Sequence, residues 1–170
     1  IGPSGAGKST ILRLIANLIS ANSGDILYQE KNISSLNPVQ YRREVSYCFQ
    51  QPSLFGQTVR DNLIFPYEIR KVDVNDKQIA DLLNQVDLSA DFLDKKITAL
   101  SGGEKQRVAL IRNIIFLPKI LLLDEVTTGL DNQSKNIVHN LIKDASEKGV
   151  TIIQVTHDQS EIDEASNILR

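Results

Sequence analysis

Apolar residues at Ile11, Leu12, Leu14, Ile15, Leu18 and Ile19 recur every three or four positions, which gathers them on one helical face and predicts a helix over residues 8–21. Asn22-Ser23-Gly24 stops it; residues 25–28 then alternate like a short exposed strand, and Glu30-Lys31-Asn32 turns the chain. Asn37-Pro38 starts a brief helix towards Arg43. Residues 45–49 form a β-rich run, a core strand that delivers Gln50 at its end. Helices are predicted over 58–65 and 76–86, the second with Ile79, Leu82, Leu83 and Val86 on one face. Between them residues 65–71 mix aromatic, aliphatic and basic side chains around the helix breaker Pro66, as either a packed corner or a docking surface. Val108, Leu110, Ile111, Ile114 and Ile115 mark a helix behind Ser101. Four aliphatics without alternation, residues 120–123, read as a strand buried on both faces. A helix from about Asn132 to Glu147 closes at Gly149, and residues 150–155 make a third core strand. A last helical turn or two covers 161–165, and 167–169 begin a further strand.

Strands alternating with helices specify an α/β fold with a parallel core sheet, whose ligands sit outside the C-terminal strand ends. The first ten residues name the ligand class. Gly2, Pro3, Ser4, Gly5, Ala6, Gly7, Lys8, Ser9 and Thr10 contain Gly-x-x-x-x-Gly-Lys-Ser/Thr over residues 2–9, a loop that wraps backbone N–H groups around a phosphate. It opens directly into a helix, whose N-terminal dipole favours the anion. Lys8 would reach the terminal phosphates and the Ser9 hydroxyl would ligate Mg²⁺. Gln50, Asp124-Glu125 and His157 each stand at a strand end. Adjacent carboxylates there are costly unless solvent, a cation or a reaction uses them, so Asp124 reads as the partner of Mg²⁺ and Glu125 as the group that orients or deprotonates an attacking water. Ser101 and Glu104 have capping-box spacing. Gly102 and Gly103 between them are expensive for a helix start, which is intelligible if an anion approaches the backbone. His139 reads as a surface or flank residue.

Size and charge narrow the partners. The chain has 170 residues, 41% of them hydrophobic, and a net charge of −2, with no basic excess to argue for nucleic acid. A single cysteine, Cys48, excludes an internal disulfide and is most easily placed in a reduced cytoplasm. The longest apolar stretch, residues 114–123, is broken by Pro118 and Lys119 and is too short to cross a bilayer. Because a phosphate loop normally follows a buried strand, of which only Ile1 could remain here, the expectation is a chain lacking its N-terminal portion.

Taken together these residues resemble the ATP-binding subunit of an ABC transporter. The order is phosphate loop (2–10), Q-loop Gln50, signature (100–106), acidic strand end Asp124-Glu125, D-loop (128–131) and switch His157. Leu100-Ser101-Gly102-Gly103 is the discriminating element, since many NTPases share only the loop. Residues 45–70 are also similar to bacterial ATPases described as iron exporters. The resemblance implies a P-loop NTPase of the ABC type, N-terminally truncated, with an ATP-binding core of residues 1–50 and 113–170 and a helical subdomain of 51–112. It implies ATP and Mg²⁺ as cofactors, with Ser9, Gln50 and Asp124 towards the metal. Lys8, Gln50, Glu125 and His157 would be catalytic, and two subunits would pair head to tail. Ser101, Gly102, Gly103 and Glu104 would then cover ATP held by Lys8, Ser9 and Gln50 of the partner, with Asp131 communicating across. A separate membrane permease would meet the 65–71 corner, placing the chain on the cytoplasmic face of the cell membrane. Strands ending at Gln50, Asp124 and His157 would lie side by side in that order, with the phosphate-loop strand beside the last. Without that strand the resemblance predicts a bare edge, poor solubility and weak ATP binding.

Two positions depart from the family pattern. Glu104 stands where Gln is frequent, which bears on a ribose contact, and Val126 where Pro often follows the catalytic Glu. A soluble ABC-type ATPase acting on DNA or ribosomes is the alternative, although no heptad arms separate Gln50 from Ser101; an inactive remnant is a third reading.

Overall fold

The computed structural model describes residues 1–3 and 5–169, so the expectation for Ser4 lies outside the described residues. Helix α1 (Lys8–Ile15) leads to a hairpin of β1 (Leu27–Tyr28) and β2 (Lys31–Asn32). Then come α2 (Pro38–Glu44), β3 (Val45–Cys48), α3 (Val59–Glu68), α4 (Asp76–Gln85), α5 (Gly102–Ile114) and β4 (Ile120–Asp124). Helix α6 (Asn132–Glu147), β5 (Thr151–Val155) and α7 (Gln159–Asp163) complete the order.

β3, β4 and β5 form one parallel sheet in that order, with Val45 opposite Ile120 and Ile120 opposite Thr151. This is the predicted neighbour relation of the three strands. Strand β4 lies in the middle, and its aliphatics serve both faces: Leu121 and Leu123 join the core made with α3, α5 and α6, while Leu122 joins the core made with α1 and α2. That division explains the unalternating run, because neither face of the strand meets water. The larger core also takes in Leu63, Ile79 and Leu83, so side chains of 51–112 and of the sheet share one apolar interior.

Several boundaries differ from the sequence reading, among them the last helix, which runs over Gln159–Asp163 and not 161–165. α1 stops at Ile15 because Asn17 turns left-handed (φ 53°), with Leu18 N–H donating to Arg13 O at 2.9 Å and Asn17 N–H to Leu14 O at 3.0 Å. That pair of bonds is a Schellman closure, and it outweighs the apolar spacing beyond it. Lys31 and Asn32 are the returning strand, and the turn itself is Gln29-Glu30, both at positive φ. Pro66 sits inside α3 with its ring buried; it falls in the last turn, and the helix ends at Glu68. Residues 167–169 form no strand, and among the described residues no strand pairs with them in a ladder.

Candidate active site

The parallel strands bring their C-terminal ends to one rim, and the predicted side chains meet there. Gln50 Nε2 donates to Glu125 Oε2 at 2.9 Å, and His157 Nε2 lies 3.4 Å from Glu125 Oε1. One carboxylate is therefore held between an amide from beyond β3 and an imidazole from beyond β5. The backbone of Glu125 is left-handed (φ 50°), a conformation costing a side-chain-bearing residue about 1–2 kcal/mol. It is retained by Glu125 N–H donating to Val155 O at 3.0 Å and by Thr128 N–H donating to Glu125 O at 3.1 Å. Val126, at the position where the family often has Pro, is buried in the larger core, so packing supplies stiffness there.

Beside this cluster the phosphate loop reaches β4. Ser9 Oγ donates to Asp124 Oδ1 at 2.7 Å, and the Tyr47 hydroxyl donates to Asp124 Oδ2 at 2.6 Å. Asp124 is buried, and each of its oxygens accepts one of these hydrogen bonds. Lys8 Nζ donates to Gly2 O at 2.8 Å and Pro3 O at 2.9 Å, which keeps the ammonium over the loop. Gly5 and Gly7 have φ of 80° and 82° with open space where a Cβ would stand, so backbone handedness is what demands glycine there. Gly7 occupies the N-cap of α1 without a side-chain cap, leaving the first N–H groups of the helix for an anion. Ser9, Asp124 and Gln50 offer hydroxyl, carboxylate and amide oxygens. Among the described residues no cluster of three or more His, Cys, Asp and Glu could hold a metal alone. This donor set suits Mg²⁺, which completes its shell with phosphate and water and does not need a protein cage.

Sequence reading missed Tyr47. Burial, reinforced by the bond to Asp124, pushes its phenol up to about 12. The available signal was register: Tyr47 pairs with Leu122, two residues from Asp124 on the adjacent parallel strand.

Ser101 and Asp131 are brought to other places. Glu104 N–H donates to Ser101 Oγ at 3.2 Å and Ser101 N–H to Glu104 Oε2 at 2.7 Å, the predicted capping box. Glu104 Oε1 also pairs with Lys95 at 3.2 Å, so this carboxylate is engaged within its own chain. The glycines divide in role. A Cβ on Gly103 would come within 2.8 Å of Ser134 Oγ, so close packing on α6 requires it, whereas Gly102 faces open space. Asp131 caps α6, accepting from Ser134 N–H and Ser134 Oγ, each at 2.8 Å. Among the described residues no hydrogen bond joins 101–104 or Asp131 to the phosphate loop.

His139 is more than a flank residue. Its Nε2 lies 2.7 Å from Glu161 Oε1, which also accepts from Thr127 Oγ1 at 2.6 Å, while Gln154 Nε2 donates to Glu161 Oε2 at 2.5 Å. This pairing spans 22 residues and leaves no local mark in the sequence.

A phosphate loop beside carboxylates at the ends of a parallel sheet defines a P-loop nucleotide hydrolase. The family model described as "ABC transporter" matches residues 1–128. Over 169 residues the chain is 47% identical to the "Probable iron export ATP-binding protein FetA" of Escherichia coli K12, covering 99% of this chain and 75% of that one. It is 39% identical to the "Spermidine/putrescine import ATP-binding protein PotA" of Mycoplasma capricolum, covering 95% of this chain and 46% of that one. Among solved structures it is similar to the dimeric, post-hydrolysis ATP-binding cassette MJ0796 bound to ADP and Pi. That match has a TM-score of 0.81 at 29% identity, over 94% of this chain and 73% of that one. The chain belongs to the ABC transporter family, as an ATP-binding and ATP-hydrolysing chain that powers transport.

Proposed function

We propose that Glu125 is the residue that orients and deprotonates the water attacking ATP, and that two copies of this chain pair head to tail to complete each site. The observation that carries the first part is the carboxylate held between Gln50 and His157, beside the Ser9–Asp124 pair. Lys8 and the loop's N–H groups hold the phosphates, and His157 steadies the γ-phosphate and the groups around it. Ser9, Asp124 and Gln50 hold Mg²⁺, which when bound supplies charge neutralisation at the phosphate oxygens. Gly102, facing open space at the start of α5, presents its backbone to the γ-phosphate of the partner's ATP, and Asp131 relays pairing between the copies. The helical subdomain of 51–112 moves against the core of 1–50 and 113–170 when Gln50 senses that phosphate. Glu125→Gln lowers the hydrolysis rate about 10²–10⁴-fold and traps an ATP-bound dimer; near-normal turnover would remove Glu125 from this role. Ser101→Arg blocks pairing, measured by light scattering with ATP, while a fluorescent ATP analogue still binds. Equal loss of both would show that the signature does not act across the dimer.

No helix among the described residues is long and apolar enough to cross a membrane. In the proposed function this chain pairs with a membrane permease, on the cytoplasmic face of the cell membrane. Its docking place is a groove of about 460 Å³ between α2 and the α3–α5 pair, with Phe65, Ile69 and Phe116 in its wall. In the 65–71 corner Pro66 and Tyr67 pack inward, as the packed-corner reading expects, while Phe65 and Ile69 remain exposed and are the side chains that the docking reading would use. Arg42, Arg43, Arg70 and Arg112 line the same groove, and none has a carboxylate partner among the described residues. The groove therefore suits an amphipathic segment carrying Asp or Glu. Arg43→Glu with Arg70→Glu releases the membrane subunit in co-purification; undiminished recovery would place the contact elsewhere. The likeness to FetA makes iron the first cargo to test, by measuring cell iron after loading cells that lack this chain.

A further inference from the structure

We propose that Glu161 is a positioning residue that sets the Glu125 turn, the His157 loop and the start of α6 against one another for hydrolysis. The side chain is 4% exposed, and among the described residues its hydrogen bonds go to Thr127, His139 and Gln154 rather than to the phosphate loop, Gln50, Asp124, Glu125 or His157. Its two oxygens collect donors from three separate places: Thr127 after β4, His139 of α6, and Gln154 of β5. Two of these continue directly into residues of the site, and the third belongs to the helix that Asp131 caps. Thr127 lies two positions past Glu125, α6 begins at the Asp131 cap, and Gln154 leads through Val155 to His157. Glu161 itself stands on the turn of helix that Asp158 caps, and Asp158 is in turn ion-paired to Lys135 of α6. A buried carboxylate is expensive unless its lone pairs are filled, and here the filling groups are those that carry the three loops. Glu161 thus acts through Glu125 and His157 and not on nucleotide.

The inference rests on Glu125 and His157 acting in hydrolysis, and the test separates the two. Glu161→Gln keeps the volume but offers one acceptor oxygen in place of two, and Thr127→Val removes a single donor. ATP hydrolysis by the transporter complex is measured for both, beside Glu125→Gln, with melting temperature as a control for folding. The expected result is a roughly tenfold or larger fall in kcat for Glu161→Gln, with KM for ATP within about twofold and a smaller fall for Thr127→Val. An unchanged kcat while Glu125→Gln is inactive would overturn the inference alone. Losses of kcat, KM and melting temperature in step would overturn it too, leaving Glu161 a purely structural residue. Near-normal turnover in Glu125→Gln would overturn the catalytic reading and this inference with it.

Discussion

A left-handed backbone at Glu125 is a cost accepted at one residue, and its neighbours show what it achieves. The turn takes the chain sharply off β4, so that Asp124 stays in the sheet against Ser9 and Tyr47 while Glu125 faces Gln50 and His157. Two adjacent carboxylates thereby acquire separate partners and separate tasks. Tyr47 is the least advertised of these partners. A hydrogen bond to a charged group contributes about 1.5–3 kcal/mol, so Tyr47→Phe, which keeps the ring and removes the donor, is expected to lower stability by about that amount. If Asp124 serves Mg²⁺, loss of its second support also weakens the response to Mg²⁺ by about 10–100-fold. Denaturant melts and hydrolysis at varied Mg²⁺ check the two effects, and a variant unchanged in both would reduce Tyr47 to packing. Cys48, by contrast, needs no chemical role: burial pushes its thiol up to about 12, and it packs in the larger core.

The helix pair α5 and α6 carries its information in two glycines that the sequence presents as equivalent. A methyl group on Gly103 would press on Ser134, which Asp131 already holds, so Gly103→Ala is expected to cost about 1–3 kcal/mol of stability through overpacking. Gly102→Ala meets nothing and should leave the melting temperature within a few degrees while impairing ATP-dependent pairing. Calorimetry and light scattering distinguish them; equal melting losses would mean that both glycines are there for packing. The three core strands, the capping box and the start of α6 near Asn132 were legible because each is written in contiguous residues. So were Gln50, Asp124, Glu125 and His157, since strand-end position follows from local apolar runs. What could not be read was set at long range or by backbone handedness. α1 ends at Ile15 although the apolar spacing continues to Ile19, because the left-handed closure at Asn17 is worth more than two further exposed aliphatics. His139 and Glu161 lie on different helices, and the spacing within each helix says nothing about their meeting.

Across the whole molecule the sheet separates two apolar cores, and the charged groups that join its surrounding elements are mostly carboxylates with donors in place. Burial alone would raise Glu161 above its ordinary 4.5, but the bond from Thr127 and the pairing with His139 outweigh it and hold the group low. Glu104 follows the same balance, with burial opposed by Ser101 and Lys95. For Asp158 the Lys135 contact dominates and carries the carboxyl well below its usual range. A carboxylate with a depressed folded pKa contributes stability above its unfolded pKa and loses that contribution as pH falls through the folded one. Stability is therefore expected to be nearly flat above about pH 5 and to drop as the solution is taken below about pH 4. Glu161→Gln isolates one contributor, because its side chain does not titrate. Its stability deficit against the parent protein, measured by denaturant at each pH, should be full near neutrality and shrink towards about pH 3 as the parent's Glu161 takes up its proton. A deficit constant across that range would mean that Glu161 remains equally favourable when protonated, and that acid unfolding is driven from other carboxylates.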